Sequence, residues 1–187
     1  MPGSPLFERN KPQAYLCYDH HGDGEYYNLS QRLFSSVAEL RRDLSLDREL
    51  GANDPKSFLR GADQAMAGAQ CAVVLCGART HLDAYVDWEI KAALDRKIGL
   101  LAVMLPGNPT GGDGQPTLPE RLQDNFDGGY AVVCGWRDLV DGRIDLTHRM
   151  AFAASRMAEL IRNDRPLRPT GTGPADATPR TFPASEG

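Results

Sequence analysis

The sequence predicts an α/β protein with a central, mostly parallel sheet of about five strands flanked by helices. Two uninterrupted apolar runs, residues 71–76 and 98–105, have the length and composition of strands that are buried on both faces. The segment between them carries apolar residues at helical spacing. A strand, a helix and a second strand in this order form the crossover unit of a parallel sheet.

The N-terminal part of the chain predicts the first strand and the first helix. Residues 1–13 contain three prolines and few apolar side chains, so we expect a flexible lead-in. Residues 14–18, AYLCY, are typical of a strand. Residues 26–42 repeat apolar side chains at helical spacing and end in two arginines, which predicts a helix that covers the sheet.

The next segment predicts a second strand and a second helix. Residues 43–47, DLSLD, suit a short strand and a loop equally well. Residues 55–67 predict a helix, because Asp54 can cap it and Pro55 suits its first position. The central strand at 71–76 follows this helix. Asp83 can then cap the helix of the crossover unit.

The C-terminal part begins with a loop and ends in a tail. Residues 106–119 contain four prolines and four glycines, so we expect a surface loop, either a lid or a spacer. The remaining elements of the 14–163 domain are a helical turn at 118–124, a strand at 130–134 and a helix at 146–161. Proline, threonine, glycine and alanine dominate 164–187, which predicts a disordered tail that chemistry does not need.

Composition limits the classes of function. The net charge is -4 and no stripe of Lys and Arg is present, which argues against a nucleic-acid partner. The sequence contains neither a membrane-spanning apolar segment nor a signal-peptide layout, so we expect a cytoplasmic protein without a membrane partner. All four cysteines fall in predicted strands, which favours buried thiols in a reducing compartment over a disulfide or metal site.

The loop after the first strand lies where a doubly wound sheet binds ligands. Its sequence is DHHGDG, from Asp19 to Gly24. Adjacent His20 and His21 point apart, and no third ligand is close in sequence, so we expect no metal site. A solvated loop is favoured, and contact of Asp19 or His20 with a ligand is the next alternative.

Glu89 is the candidate acid of the crossover helix. It follows Tyr85 by four residues and Val86 by three, so it starts from the rim of the apolar face. The start of this helix lies at the edge of the sheet where ligands bind. From these residues alone, a solvated glutamate that pairs with a neighbouring cation is favoured.

The order QCAVVLCGART and then VDWEIKAAL resembles TIR domains, in particular the TIR-like proteins of the bacterial Thoeris anti-phage system. In that family a similar strand leads to a W-V-x-x-E-I helix that carries the catalytic glutamate, and Glu89 falls on that position. The resemblance extends from about Ala14 to Trp136. It implies a flavodoxin-like TIR fold.

The resemblance also implies an activity. NAD would be the substrate, with no further cofactor, and the bond between nicotinamide and ribose would be cleaved. The product would be ADP-ribose or, more in keeping with the family, a cyclic ADP-ribose-type signal nucleotide that activates a separate effector protein. Self-association through TIR contacts and a phage protein trigger are the expected means of activation.

Further residues are expected at the same site. Aromatic and polar side chains near the ends of the first and third strands are candidates for contact with adenine, nicotinamide, ribose or phosphate. Trp88 is adjacent to Glu89 and should point away from it. The alternative to substrate contact for Trp88 is packing in the core. The expected substrate-binding residues are Tyr18, Asp19, His20, Arg79, Thr80, Tyr85 and Trp88.

Two other classes of function are alternatives to the enzyme. A non-catalytic TIR module that docks to other proteins has the same strand and helix pattern, but the Glu89 motif favours the enzyme. A flavodoxin-like or receiver-type switch fits poorly. No Lys follows the strand at 98–105, and the acidic loop at 19–24 would repel a flavin phosphate.

Overall fold

The strands form one parallel sheet, as the sequence predicts. The computed structural model describes residues 11–41, 44, 54–112 and 114–170. In these ranges, five strands pair in the order β2-β1-β3-β4-β5, and every pairing is parallel. The strands are β1 Gln13–Cys17, β2 Glu39–Leu40, β3 Cys71–Cys76, β4 Gly99–Met104 and β5 Val132–Gly135.

Helices cover both faces of the sheet. They are α1 Gly24–Ser35, α2 Pro55–Ala65, α3 Ala84–Asp95, α4 Glu120–Asp127, α5 Trp136–Val140 and α6 Leu146–Ala154. Alternate residues of β1 join different core clusters: Tyr15 packs with α2 and α3, whereas Leu16 packs with α1 and α6. Within the described ranges, no helix has both the length and the apolar composition needed to cross a membrane.

The two predicted aspartate caps are confirmed. Asp54 accepts hydrogen bonds from the backbone N–H groups of Lys56 and Ser57 at the start of α2. Asp83 accepts them from Tyr85 and Val86 at the start of α3. These bonds satisfy donors that the first turn of a helix leaves unpaired. They place the start of α3 at the carboxyl end of β3.

The first helix ends earlier than its apolar spacing predicts. It stops at Ser35 rather than continuing to residue 42, and β2 follows at Glu39–Leu40. The backbone N–H of Glu39 donates to the carbonyl of Pro12, and that of Arg41 donates to Ala14. Pairing with β1 thus overrides the local helical pattern. Of the alternative strand at 43–47, only Leu44 lies within the described residues.

The proline-rich loop at 106–119 contains a small hairpin. An antiparallel bridge joins Thr110 to Pro116, and the N–H of Thr117 donates to the carbonyl of Pro109. The side-chain amide of Asn108 donates to the carbonyls of Cys76 and Thr117. These bonds fasten the loop to the carboxyl end of β3. Its predicted role as a lid or a spacer stays a prediction.

The C-terminal part of the domain differs from its prediction. The helix predicted at 146–161 ends at Ala154, and a 3-10 turn follows at Ala158–Leu160. Residues 161–170, which we call the C-terminal strap, then run along α3 and α4. The Trp88 indole N–H donates to the carbonyl of Arg168, 2.8 Å away, and the N–H of Arg168 donates to the Asp87 carboxylate, 2.9 Å away.

The strap continues past residue 163, where the predicted domain ends. Its composition resembles a linker, but its backbone supplies acceptors to buried donors of the domain. Such contacts are visible only in the folded chain. The packed domain therefore extends at least to Arg168. Residues 171–187 of the predicted tail lie outside the described residues.

Candidate active site

Glu89 lies in the second turn of α3 and is almost fully buried. Glu89 is 2% exposed, and its Oε1 accepts a hydrogen bond from the Tyr15 hydroxyl at 2.8 Å. Tyr15 is in β1 and is 0% exposed. The solvated glutamate that the residues alone favour is therefore wrong. Glu89 faces the sheet rather than the rim, because Tyr15 supplies a polar partner inside the core.

The turn that leads from β3 into α3 is held by a polar junction. Thr80 is fully buried, and its hydroxyl accepts a hydrogen bond from the N–H of Gly77 and donates one to Asp23 at the start of α1. A Cβ atom at Gly77 would lie 2.0 Å from an Asp23 carboxylate oxygen, so any larger residue here would displace that carboxylate. The Thr80 hydroxyl, for which a ribose or phosphate contact is expected, therefore makes its hydrogen bonds within the protein.

Two carboxylates lie buried where β1 meets α1. Asp19 accepts a hydrogen bond from the N–H of His21, and both Asp19 and Asp23 are 5% exposed. Burial raises the pKa of Asp23 above its ordinary value, the hydrogen bond from Thr80 opposes the rise, and the nearby Asp19 charge adds to it. Asp19, which is an expected ligand contact, thus forms an acidic pair with Asp23 at the carboxyl end of β1.

Tyr18 contacts His20, and Tyr18 packs on the face of the sheet that α1 and α6 cover. The Tyr18 hydroxyl and His20 Nδ1 are 3.0 Å apart, and the Tyr18 ring stacks on Tyr27 with 4.1 Å between centroids. Tyr18 belongs to the core cluster of α1 and α6, whereas Glu89 is hydrogen-bonded to Tyr15 on the face of α2 and α3. A substrate that contacts all of them would have to lie across the carboxyl end of β1.

Tyr85 and Trp88 belong to an aromatic cluster with Phe58 of α2. Neighbouring ring centroids in this cluster lie 5.2 to 5.5 Å apart. Trp88 is 1% exposed and packs in the core, which was the alternative to substrate contact. Tyr85 is half-buried beside it. Arg79, the remaining predicted contact, is exposed on the turn that precedes α3.

Sequence reasoning missed Tyr15 and a buried ion pair on the helix that carries Glu89. The pair joins Arg121 of α4 to Asp87 of α3, with 2.9 Å between Nε and Oδ1. One observation could have indicated Tyr15: it is a tyrosine in a strand buried on both faces, and a buried hydroxyl needs a partner. Arg121 had no comparable indication, since its partners come from distant segments.

A metal ion would need several coordinating side chains close together. Within the part of the chain that the structure describes, no three His, Cys, Asp or Glu side chains are arranged to hold a metal ion. The adjacent rings of His20 and His21 lie 6.1 Å apart, with 68° between their planes.

The parallel sheet, the covered faces and the Glu89 helix after β3 define a TIR-like α/β domain. The family model of the TIR-like domain of Thoeris protein ThsB matches residues 15–110, slightly more than half of the 187-residue chain. The chain therefore belongs to this family. Among curated proteins, none matches the sequence. The matched range includes Tyr15 and Glu89 but ends before Arg121 and the C-terminal strap.

Proposed function

We propose that this protein cleaves NAD at the bond between nicotinamide and ribose and that Glu89 is its catalytic residue. The observation that carries the proposal is the Glu89 carboxylate, which the Tyr15 hydroxyl holds inside the domain. The resemblance of the V-D-W-E-I motif supports the proposal, because it implies that Glu89 is the catalytic glutamate. A carboxylate that is fixed in a nonpolar surrounding interacts with a developing positive charge more strongly than one in water.

One carboxylate is sufficient for this reaction. Nicotinamide leaves a positively charged ring as a neutral molecule, so no proton donor is required. The barrier lies in the oxocarbenium-like ribose that remains. A carboxylate that accepts hydrogen bonds from the ribose hydroxyls stabilises this species more as its charge grows. That difference lowers the barrier rather than merely strengthening substrate binding.

The burial of Glu89 also bears on activation. At 2% exposure, the carboxylate does not reach bulk solvent, so NAD needs a second arrangement in which the residues around Glu89 open. A trigger acts by binding the open arrangement more tightly than the closed one. Self-association of TIR domains and a phage protein are the triggers that we propose. The cell compartment would be the cytoplasm.

A site that closes again around bound NAD favours a cyclic product. When water is kept from the ribosyl cation, a nitrogen or hydroxyl of the same nucleotide attacks instead of water. The proposed product is therefore a cyclic ADP-ribose-type signal that a separate effector protein binds. NAD is a substrate in this scheme and is consumed, so we propose no cofactor.

Comparison of two amide substitutions on α3 tests the proposal. Glu89→Gln keeps the shape of the side chain and removes its charge. Asp95→Asn makes the matched change at a side chain that is 55% exposed and paired with Lys91. With the proteins concentrated or with lysate of phage-infected cells added, we expect the parent and Asp95→Asn to release nicotinamide from NAD, and Glu89→Gln to lose at least about 100-fold in rate. Chromatography with mass spectrometry measures both products and separates a cyclic product from ADP-ribose.

A non-catalytic docking module is the second candidate function. The observation that favours it is again the burial of Glu89, because a carboxylate closed by Tyr15 also suits a structural role. If Glu89→Gln cleaved NAD as fast as the parent, Glu89 would not be the catalytic group. If the concentrated parent protein left NAD intact even with lysate of phage-infected cells, the docking module would replace the enzyme.

A further inference from the structure

Tyr15 occupies one of the most constrained positions near the candidate site. It lies in β1 opposite Ala72 of β3 and is 0% exposed. β1 has a neighbouring strand on each side, β2 and β3. The backbone on which the Tyr15 ring is mounted is therefore fixed by the sheet. An aromatic ring on such a backbone has only two torsions to hold, so its hydroxyl is a rigid donor.

Glu89 has a flexible side chain that such a donor can fix. Its side chain has three torsions, and α3 fixes only their starting point. The Tyr15 hydroxyl lies 2.8 Å from Oε1 and joins two elements that are 74 residues apart in the chain. The bond fixes the carboxylate relative to the sheet as well as relative to its own helix.

We propose that Tyr15 is the positioning residue of NAD cleavage: its hydroxyl holds Oε1 of Glu89 so that the carboxylate is presented to the ribose in a single orientation. The inference rests on the proposed function and adds a residue to it. Tyr15 acts through Glu89 and does not touch the reacting atoms. A misplacement of about 1 Å at a reacting group is enough to cost on the order of 100-fold in rate.

Two physical effects of the hydroxyl oppose each other. By donating to Oε1, it withdraws some negative charge from the carboxylate, which weakens the attraction to the ribosyl cation. By fixing the side chain, it removes the orientations that do not reach the ribose. The proposal states that orientation dominates. Removal of the hydroxyl should then slow catalysis, whereas a dominant charge effect would make it faster.

Tyr15→Phe tests this, with Tyr130→Phe as its matched control. Tyr130 is 1% exposed, and its hydroxyl donates to the backbone carbonyl of Ile98 at 3.0 Å. Each substitution removes one buried hydroxyl and its hydrogen bond, but only one of them touches Glu89. We expect Tyr15→Phe to lower kcat about tenfold with the KM for NAD unchanged, and Tyr130→Phe to keep both parameters. Thermal unfolding checks that both variants are folded.

A second variant leaves Tyr15 in place. Glu89→Asp shortens the side chain by one methylene and moves the carboxylate away from the hydroxyl. We expect Glu89→Asp to lower kcat about 100-fold in the parent and much less in the Tyr15→Phe background, since the two changes break the same bond. Equal factors in both backgrounds would overturn the proposal even if Tyr15→Phe were less stable.

The outcomes separate this inference from the proposed function. An active parent whose kcat is unchanged or increased by Tyr15→Phe overturns the positioning role alone. An equal loss of kcat in Tyr15→Phe and Tyr130→Phe overturns it as well, because the effect would then be one of stability. A parent that leaves NAD intact under all conditions overturns the proposed function, and the positioning role with it.

Discussion

Arg121 is a fully buried cation whose guanidinium joins three parts of the domain. It binds the Asp87 carboxylate of α3, the Asn163 side chain and the carbonyls of Arg165 and Pro166 in the C-terminal strap. A buried charge is stable only when its partners replace the lost water. The residue therefore links the helix that carries Glu89 to the end of the domain.

We expect Arg121→Met to lower the free energy of unfolding by about 3 to 5 kcal/mol, because it leaves the Asp87 carboxylate buried without its cation. The control is Arg143→Met, whose side chain is 67% exposed beside Asp138 and Asp141. That substitution should cost less than about 1 kcal/mol. Urea unfolding followed by circular dichroism measures both values. Equal losses would show that the buried pair contributes no more than a surface pair.

At the scale of elements, α3 is held on two sides. The sheet holds it through the Glu89 and Tyr15 bond, and the C-terminal strap holds it through Asp87 and Trp88. Leu167 of the strap also packs against the core cluster that contains Trp88. The strap thus seals the side of α3 that would otherwise face solvent, and it should contribute to stability.

Two truncations measure this contribution. A chain that ends at Asn163 loses the acceptor of the Trp88 indole N–H and the packing of Leu167. We expect it to be less stable by about 2 kcal/mol, or roughly 5 °C in Tm. A chain that ends at Thr170 keeps these contacts and should melt with the full chain. Calorimetry compares the three proteins; equal melting of all three would mean that the strap is not part of the folded unit.

At the scale of the whole molecule, four free thiols lie buried in the sheet. Cys17, Cys71, Cys76 and Cys134 belong to β1, β3 and β5. Burial raises the pKa of Cys71 to about 12 and that of Cys134 to about 11. Only the thiolate reacts with a disulfide reagent, so the native thiols are protected both by exclusion of the reagent and by protonation.

We expect none of these four thiols to react in the native protein and all four to react in concentrated urea. Raising the pH from about 7 to about 9 should accelerate the labelling of the unfolded chain, whose thiols titrate near their ordinary pKa, and leave the native chain protected. The assay follows absorbance of the released reagent, with mass spectrometry to locate the labels. A thiol that is labelled in the native protein as fast as in urea would show that its strand opens locally.

The candidate site was predictable only in part. Glu89 and the Asp83 cap follow from residues close together in sequence, namely an apolar strand, a turn and a helix start. The partner of Glu89 does not, because Tyr15 is 74 residues away and only the pairing of β1 with β3 brings it near α3. Trp88 shows the same limit. Helical spacing directs it away from Glu89, but its contact with Arg168 requires the folded strap.

The sequence alone determined the α/β class, the central strand β3 and the start of α3, because apolar runs and helix caps are local properties of the chain. Only the tertiary structure decided that α1 ends at Ser35, that residues up to Arg168 belong to the domain and that Glu89 lies inside it. Each of these depends on a hydrogen bond or a contact between distant segments. Such partners exist only after the chain has folded, and no periodicity in the sequence records them.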